Sequence, residues 1–313
     1  NADGERFMSR YDPERMELST RDRVALAIST EISEGRGTPN GGVLLDLTHL
    51  ERDQILTRLP RIYRNMLDLQ MLDITRDPIE IAPTAHYSMG GVWVRPEDHG
   101  TRVAGLYAIG EASSGTHGAN RLGGNSLAEL LVYGRIVGQA AAEYSRKLSA
   151  QLRSRDAVDE ARDEIDTLLA GRGYDNVRSM QRAIRNLMSE HAGVIRNDEG
   201  IRAGLTKLDA VEARMPDLAV HPDIAGFDDL AHALDLKGSM IAARATLESA
   251  LARTETRGAH NRSDYPALDP ALKVNMVWSL GAPLAQEPVV DTPVEIARLM
   301  PSVDNSVVGK LVE

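Results

Sequence analysis

Most of the side chains able to do chemistry fall in two segments, residues 83–91 (PTAHYSMGG) and 110–127 (GEASSGTHGANRLGGNSL). His86, Glu111, His117, Arg121 and Asn125 stand there among glycines. Glycine lets backbone approach a ligand closely, and His and Arg supply cationic hydrogen-bond donors. Gly123-Gly124-Asn125-Ser126 opens a predicted helix, whose free N–H groups and positive dipole end suit an anion. Asn125 or Ser126 serving only as an N-cap accounts for the same residues equally well. Arg121 lies four residues ahead of that helix start. It is either a planar fork for a carboxylate or phosphate, or a surface cation. Glu111 follows an apolar run and a glycine, the place where nucleotide-binding α/β folds hold sugar hydroxyls. Arg21-Asp22 opens another helix; Asp suits the dipole there and Arg does not, so a solvated cation is the plainer reading.

The absences restrict the chemistry. The chain has no cysteine, which excludes disulfides, thiolate metal sites, iron–sulfur ligation and a Cys nucleophile. With no HExxH pair either, no metal is expected at His86 or His117. GxGxxG, the P-loop lysine motif and GxSxG are missing. The diphosphate fingerprint of any bound nucleotide is therefore expected outside this chain.

Several predicted elements must position these residues. Val24, Ile28 and Ile32 at four-residue spacing predict a helix over 18–35, capped by Ser19 or Thr20 and closed by Gly35. A strand is expected at 43–47 and a helix from Pro60 to about Met71. Residues 92–94 and 103–109 read as strands, the second as one buried on both faces. A long helix then runs to about Leu148, with Gly134, Gly138 and Ala142 leaving one face bare. Helices are predicted at 156–171, 176–190, 195–214 and 227–254, each with an apolar and a charged face. Alternation over 273–280 predicts a half-buried strand.

At 313 residues the chain is long enough for two or three domains, and 42% hydrophobic content supports a core. A net charge of −10 argues against nucleic acid as a partner, because phosphates would be repelled. The most apolar stretch, 127–142, contains Glu129 and Arg135 and falls short of the ~20 apolar residues of a membrane span. The opening Asn1-Ala2-Asp3-Gly4 reads as a turn with no strand or Met before it, which suggests a fragment.

The motifs also carry a resemblance. GERFMSRYDP (4–13), TRD (20–22), EISEGRG (31–37), LDLTHL (45–50), RLPRIY (58–63), PTAHYSMGG (83–91), GLYAIGE (105–111), HGANRLGGNSLAELLVYGR (117–135) and TRGAHNRSDYP (256–266) occur in family order. With them the chain resembles the C-terminal half of the succinate dehydrogenase/fumarate reductase flavoprotein subunit; L-aspartate oxidase is a close relative. The resemblance implies an α+β, multi-domain fold. Residues 1–80 would be the end of a capping domain and 81–147 the returning part of an FAD-binding α/β domain. Residues 148–262 would be a helical domain and 263–313 a small C-terminal domain. It implies FAD as cofactor, and fumarate–succinate interconversion by hydride transfer with the flavin.

Individual roles follow by position. Arg21 resembles the proton donor or acceptor. His86 and Arg121 resemble ligands to the carboxylates of the dicarboxylate substrate. Glu111, Asn125, Ser126 and Leu127 resemble FAD contacts, with the helix dipole favouring negative charge on the reduced flavin. A membrane anchor and an iron–sulfur subunit are implied partners, and the location would be cytoplasmic or peripheral on the cytoplasmic face of the inner membrane. Ser88-Met89, where aspartate oxidases carry Thr-Cys, favours the succinate/fumarate enzymes. From Glu111 to Arg121 the chain is one residue shorter than the family pattern. The alternatives are an aspartate oxidase-type flavoenzyme and an inactive helical interaction module; the fragment alone is expected to be inactive.

Overall fold

The computed structural model describes residues 1–149, 154–222 and 228–289. A short helix, α1 (Met8–Tyr11), precedes α2 (Arg21–Ser33). The apolar series of α2 faces inward, packing Val24, Ile28 and Ile32 with Phe7, Met8 and Val43. Thr20 is the N-cap residue, though its hydroxyl accepts no capping bond. Gly35 follows at φ +81°, a left-handed conformation that glycine adopts without steric cost. Glu31, on the inner face of α2, is fully buried. Its carboxylate accepts from Arg36 at 2.7 Å, Asn1 at 2.9 Å, Tyr11 at 2.7 Å and Arg10 at 2.9 Å. These donors, Arg36 foremost, hold the Glu31 carboxyl well below the usual carboxylate range.

Strand β1 (Val43–Leu45), helices α3 (Arg52–Arg58) and α4 (Pro60–Gln70) and strand β2 (Ile79–Ile81) complete this first part. β1 and β2 pair antiparallel, Leu44 opposite Glu80. Ile55, Ile74 and Ile79 form a small core beneath them. Pro60 starts α4, where its missing N–H costs nothing.

The next segment departs from the sequence expectation. Residues 103–109 do not form a buried strand. Leu106 N–H donates to Val103 O at 3.1 Å across a turn, and Gly105 takes φ +82°. Among the described residues only single bridges remain, Gly100 to Tyr107 and Val92 to Ser113. A strand buried on both faces needs paired strands at its edges and packed layers over its faces. Here Val103 is 61% exposed and Leu106 52%. Helix α5 (Asn125–Lys147) forms as predicted, ending before Leu148. Its bare face is only partly covered: a Cβ at Gly134 would meet Ile109 Cδ1 at 4.0 Å, and one at Gly138 nothing within 4 Å.

The helical part follows its apolar periodicity. It comprises α6 (Arg155–Ala170), β3 (Asp175–Asn176), α7 (Val177–His191), β4 (Ile195–Arg196), α8 (Asp198–Glu212), β5 (Leu218–Ala219) and α9 (Asp228–Ala252). Met180, Ile201, Leu208, Leu236 and Leu247 form its buried core. Side-chain oxygens of Ser154, Asn176 and Asn197 cap α6, α7 and α8. The predicted helix over 195–214 begins later than expected, because Ile195 and Arg196 pair in parallel with β6 (Asn261–Arg262). β3 and β5 pair likewise. The half-buried strand appears as β7 (Val274–Val277), in an antiparallel hairpin with β8 (Ala285–Pro288). Of the expected C-terminal domain, residues 290–313 lie outside the described residues. The architecture is thus α+β, with mostly two-stranded ladders serving helical packing.

Candidate functional site

The two chemistry-bearing segments meet. Glu111 sits in a 3-10 turn (Gly110–Ala112), and its Oε1 accepts from the Ser88 N–H at 2.9 Å. Gly91, at φ +146°, lets the loops touch: a Cβ there would lie 2.5 Å from Ala112 O. This close approach accounts for a glycine at the end of PTAHYSMGG.

Tyr87 lies at the centre of the cluster. The Arg121 guanidinium stands over its ring, 4.5 Å from the centroid. His117 meets the ring edge-on at 5.4 Å. Tyr87 donates its hydroxyl to Glu129 Oε2 at 3.3 Å, and His117 Nε2 donates to the same oxygen at 2.7 Å. The His117 and Glu129 side chains are 8% and 2% exposed. Burial, followed by the Glu129 charge, raises the Tyr87 phenol above its ordinary range. Two buried polar atoms in the cluster have no protein partner, Arg121 Nε and Glu129 Oε1. Among the described residues the Arg121 side chain otherwise donates only to Leu122 O, at 3.2 Å. Its cationic fork is thus shelved on an aromatic ring with donors to spare.

Arg121 leads into α5. Gly124 is the N-cap at φ +85°, no side chain caps the helix, and no acidic residue occupies its first turn. Asn125, Ser126 and Leu127 are the first three helical residues; the Asn125 N–H donates to Leu122 O at 3.3 Å, while those of Ser126 and Leu127 have no intrahelical acceptor. A Cβ at Gly123 or Gly124 would meet nothing within 4 Å. An uncapped, glycine-led entry to a 23-residue helix suits the electron-rich edge of a flavin. Among the described residues the second Glu111 oxygen accepts no hydrogen bond, which leaves it open to a hydroxyl. The donor set therefore fits FAD.

The structure does not bring all the predicted residues together. His86 is exposed and precedes Tyr87 in the chain, but among the described residues no hydrogen bond, ion pair or ring contact links its side chain to Arg121 or Glu111. Arg21 lies apart, exposed at the first position of α2. Among the described residues no hydrogen bond, ion pair or ring contact links it to this cluster. Sequence reasoning missed Tyr87 and Glu129 and left His117 unassigned. A carboxylate inside the apolar run of α5 was the available signal, since such a group needs a buried partner. Among the described residues no three His, Asp or Glu side chains gather as a metal site.

The comparisons with known proteins bear on this geometry directly. Residues 1–127 match the family model of an FAD binding domain, and residues 181–303 match that of the fumarate reductase flavoprotein C-terminus. The chain is 40% identical over 275 residues to a fumarate reductase (CoM/CoB) subunit of Methanothermobacter marburgensis, covering 87% of this chain and 49% of that protein. The chain belongs to the succinate dehydrogenase/fumarate reductase flavoprotein family. A mitochondrial succinate dehydrogenase (ubiquinone) flavoprotein subunit of Xenopus laevis is 37% identical over 280 residues, 85% of this chain and 42% of its own. The E. coli quinol fumarate reductase structure superposes with a TM-score of 0.83 at 32% identity, over 94% of this chain and 54% of its own. The chain thus spans about half the length of the curated relatives it matches. The family is one of FAD-dependent oxidoreductases, and FAD is its cofactor. No helix among the described residues is long and apolar enough to cross a membrane.

Proposed function

We propose that this chain supplies the substrate clamp and part of the flavin site of an enzyme interconverting fumarate and succinate. The observation that carries the reading is Arg121, held over Tyr87 with a buried, unpaired Nε at the uncapped entry to α5. A dicarboxylate needs a cationic donor at each end; in this reading Arg121 supplies one and His86, next to Tyr87 in the chain, the other. Bound FAD supplies hydride chemistry. Glu111, Asn125, Ser126 and Leu127 would hold it, Ser126 and Leu127 through backbone donors at the positive end of α5. Arg121 and His86 would orient the substrate and polarise one carboxylate, making the alkene electrophilic towards the hydride that bound FAD would supply.

Arg21 delivers or removes the accompanying proton. Arginine holds its proton tightly, so the role requires a relay partner and closure of residues 1–80 over residues 81–147. In this reading 1–80 is a capping domain, 81–147 the flavin-domain return, 148–262 a helical domain and 263–313 a small terminal domain. The relatives' length and the exposed apolar face of α5 support an active site completed by further sequence, with this stretch alone inactive. A membrane anchor and an iron–sulfur subunit are the fitting partners, placing the protein peripherally at the cytoplasmic face of the inner membrane.

The test is turnover of succinate, fumarate and aspartate by the holoenzyme and by Arg21→Ala. The reading expects succinate and fumarate turnover, reduced about 10²-fold to 10⁴-fold by Arg21→Ala, the range for loss of a general acid. Turnover of aspartate alone, or undiminished turnover in the variant, contradicts it.

A further inference from the structure

The Arg121 loop has an external brace that the proposed chemistry leaves unassigned. Residues 115–121 contain Gly115 at φ +103° and Gly118 at φ +55°, with open space where their Cβ atoms would lie. Among the described residues, one main-chain hydrogen bond ties this loop to a distant part of the chain. The Ala259 N–H donates to Ala119 O at 3.0 Å, two residues ahead of Arg121. Gly258, beside it, takes φ +59°. A Cβ on Gly258 would lie 2.3 Å from Ala119 O and 2.5 Å from Ala119 C. Those are backbone atoms and cannot rotate away, so only glycine permits the approach.

The bracing loop is itself fixed. Arg257 and His260 exchange main-chain hydrogen bonds of 2.9 and 3.0 Å. The Arg257 guanidinium bonds the fully buried Glu255 at 2.7 Å. Arg262, 1% exposed, donates to Ala250 O at 2.8 Å and ties the loop to the last turn of α9. His260 accepts from Arg196 at 3.0 Å and donates to Arg253 O at 3.1 Å. A rigid corner of the helical part thus presses on a glycine-rich loop that would otherwise be held mainly by side chains.

We infer that residues 256–262 form a positioning element for Arg121, with Gly258 and Ala259 as the positioning residues. The helical part thereby sets where the substrate clamp points. This rests on the reading of Arg121 as a carboxylate ligand.

The test uses the holoenzyme carrying Gly258→Ala. Gly281→Ala is the control, since Gly281 takes φ +75° and a Cβ there meets nothing within 4 Å, so it carries the same backbone strain without the clash. A further variant replaces Ala259 with its α-hydroxy acid, exchanging the N–H for an ester oxygen without adding bulk. The expected result for Gly258→Ala is a KM for succinate and fumarate raised roughly tenfold to a hundredfold, with kcat falling less, as for a clamp displaced by about 1 Å. The ester should raise KM about fivefold, the size of one lost hydrogen bond. Amide hydrogen exchange over 115–121 should accelerate in both, and flavin content should match the control. Unchanged KM and unchanged exchange in the ester variant overturn the inference, whether or not Gly258→Ala folds. If the wild type turns over no dicarboxylate, the functional reading fails instead, and hydrogen exchange alone decides the brace.

Discussion

Helices α9 and α5 are of similar length, 25 and 23 residues, yet they meet opposite environments. α9 buries Leu236 and Leu247 completely against α7 and α8. α5 leaves Leu127 70% exposed and Leu131 79% exposed. The helical part closes its core with neighbours near in sequence, which is the cheaper arrangement in chain entropy. The segment from residue 83 through α5 is rich in exposed apolar side chains and open glycines, and it holds most of the candidate site. The part that folds from local pattern is the scaffold, and the part that carries chemistry depends on groups beyond its own neighbours.

Substitutions at corresponding apolar positions sharpen that contrast. Leu236→Ala should destabilise the chain by about 2–5 kcal/mol, the range for a truncated core leucine, measured by urea denaturation. A much smaller loss would break the comparison, because α9 would not be a true core helix.

Acid should act on the scaffold less strongly. Burial, and then the neighbouring Arg196, pushes the His260 imidazole from 6.5 down to about 4. The unfolded chain takes up a proton near 6.5, whereas the folded chain resists protonation until about 4. This contribution to stability is therefore complete above 6.5 and is lost as pH falls towards 4. Melting temperatures across that window should fall by several degrees more in the wild type than in His260→Gln. Parallel curves would assign the acid loss to other groups.

The smallest effect is expected on α5. Leu131→Ala should change the stability of this chain by less than about 0.5 kcal/mol, as at a surface position. A core-sized loss would show that α5 packs as tightly as α9 and erase the distinction.

Much of this was legible in the sequence. The spacing Val24–Ile28–Ile32 gave the inner face of α2, and the amphipathic runs gave α6 to α9 within a few residues. The loops around His86 and Arg121 were marked by their glycines. The apolar run 103–109 misled because it carries the pattern of a sheet interior without paired neighbours among the described residues. Tyr87 and Glu129 were missed because their pairing spans 42 residues and joins two segments by tertiary contact. The approach of Gly258 to Ala119 was equally invisible, since a glycine's reason lies in what it touches.

The central claim is that Arg121, shelved on Tyr87, grips a dicarboxylate beside the flavin. Its most direct test is titration of the holoenzyme's flavin absorbance with fumarate and with succinate, in wild type and in Arg121→Gln. The account predicts a saturable spectral change in the wild type and binding weakened about a hundredfold or more in the variant, as for a lost charge-assisted clamp. Equal affinity in the two proteins would contradict it.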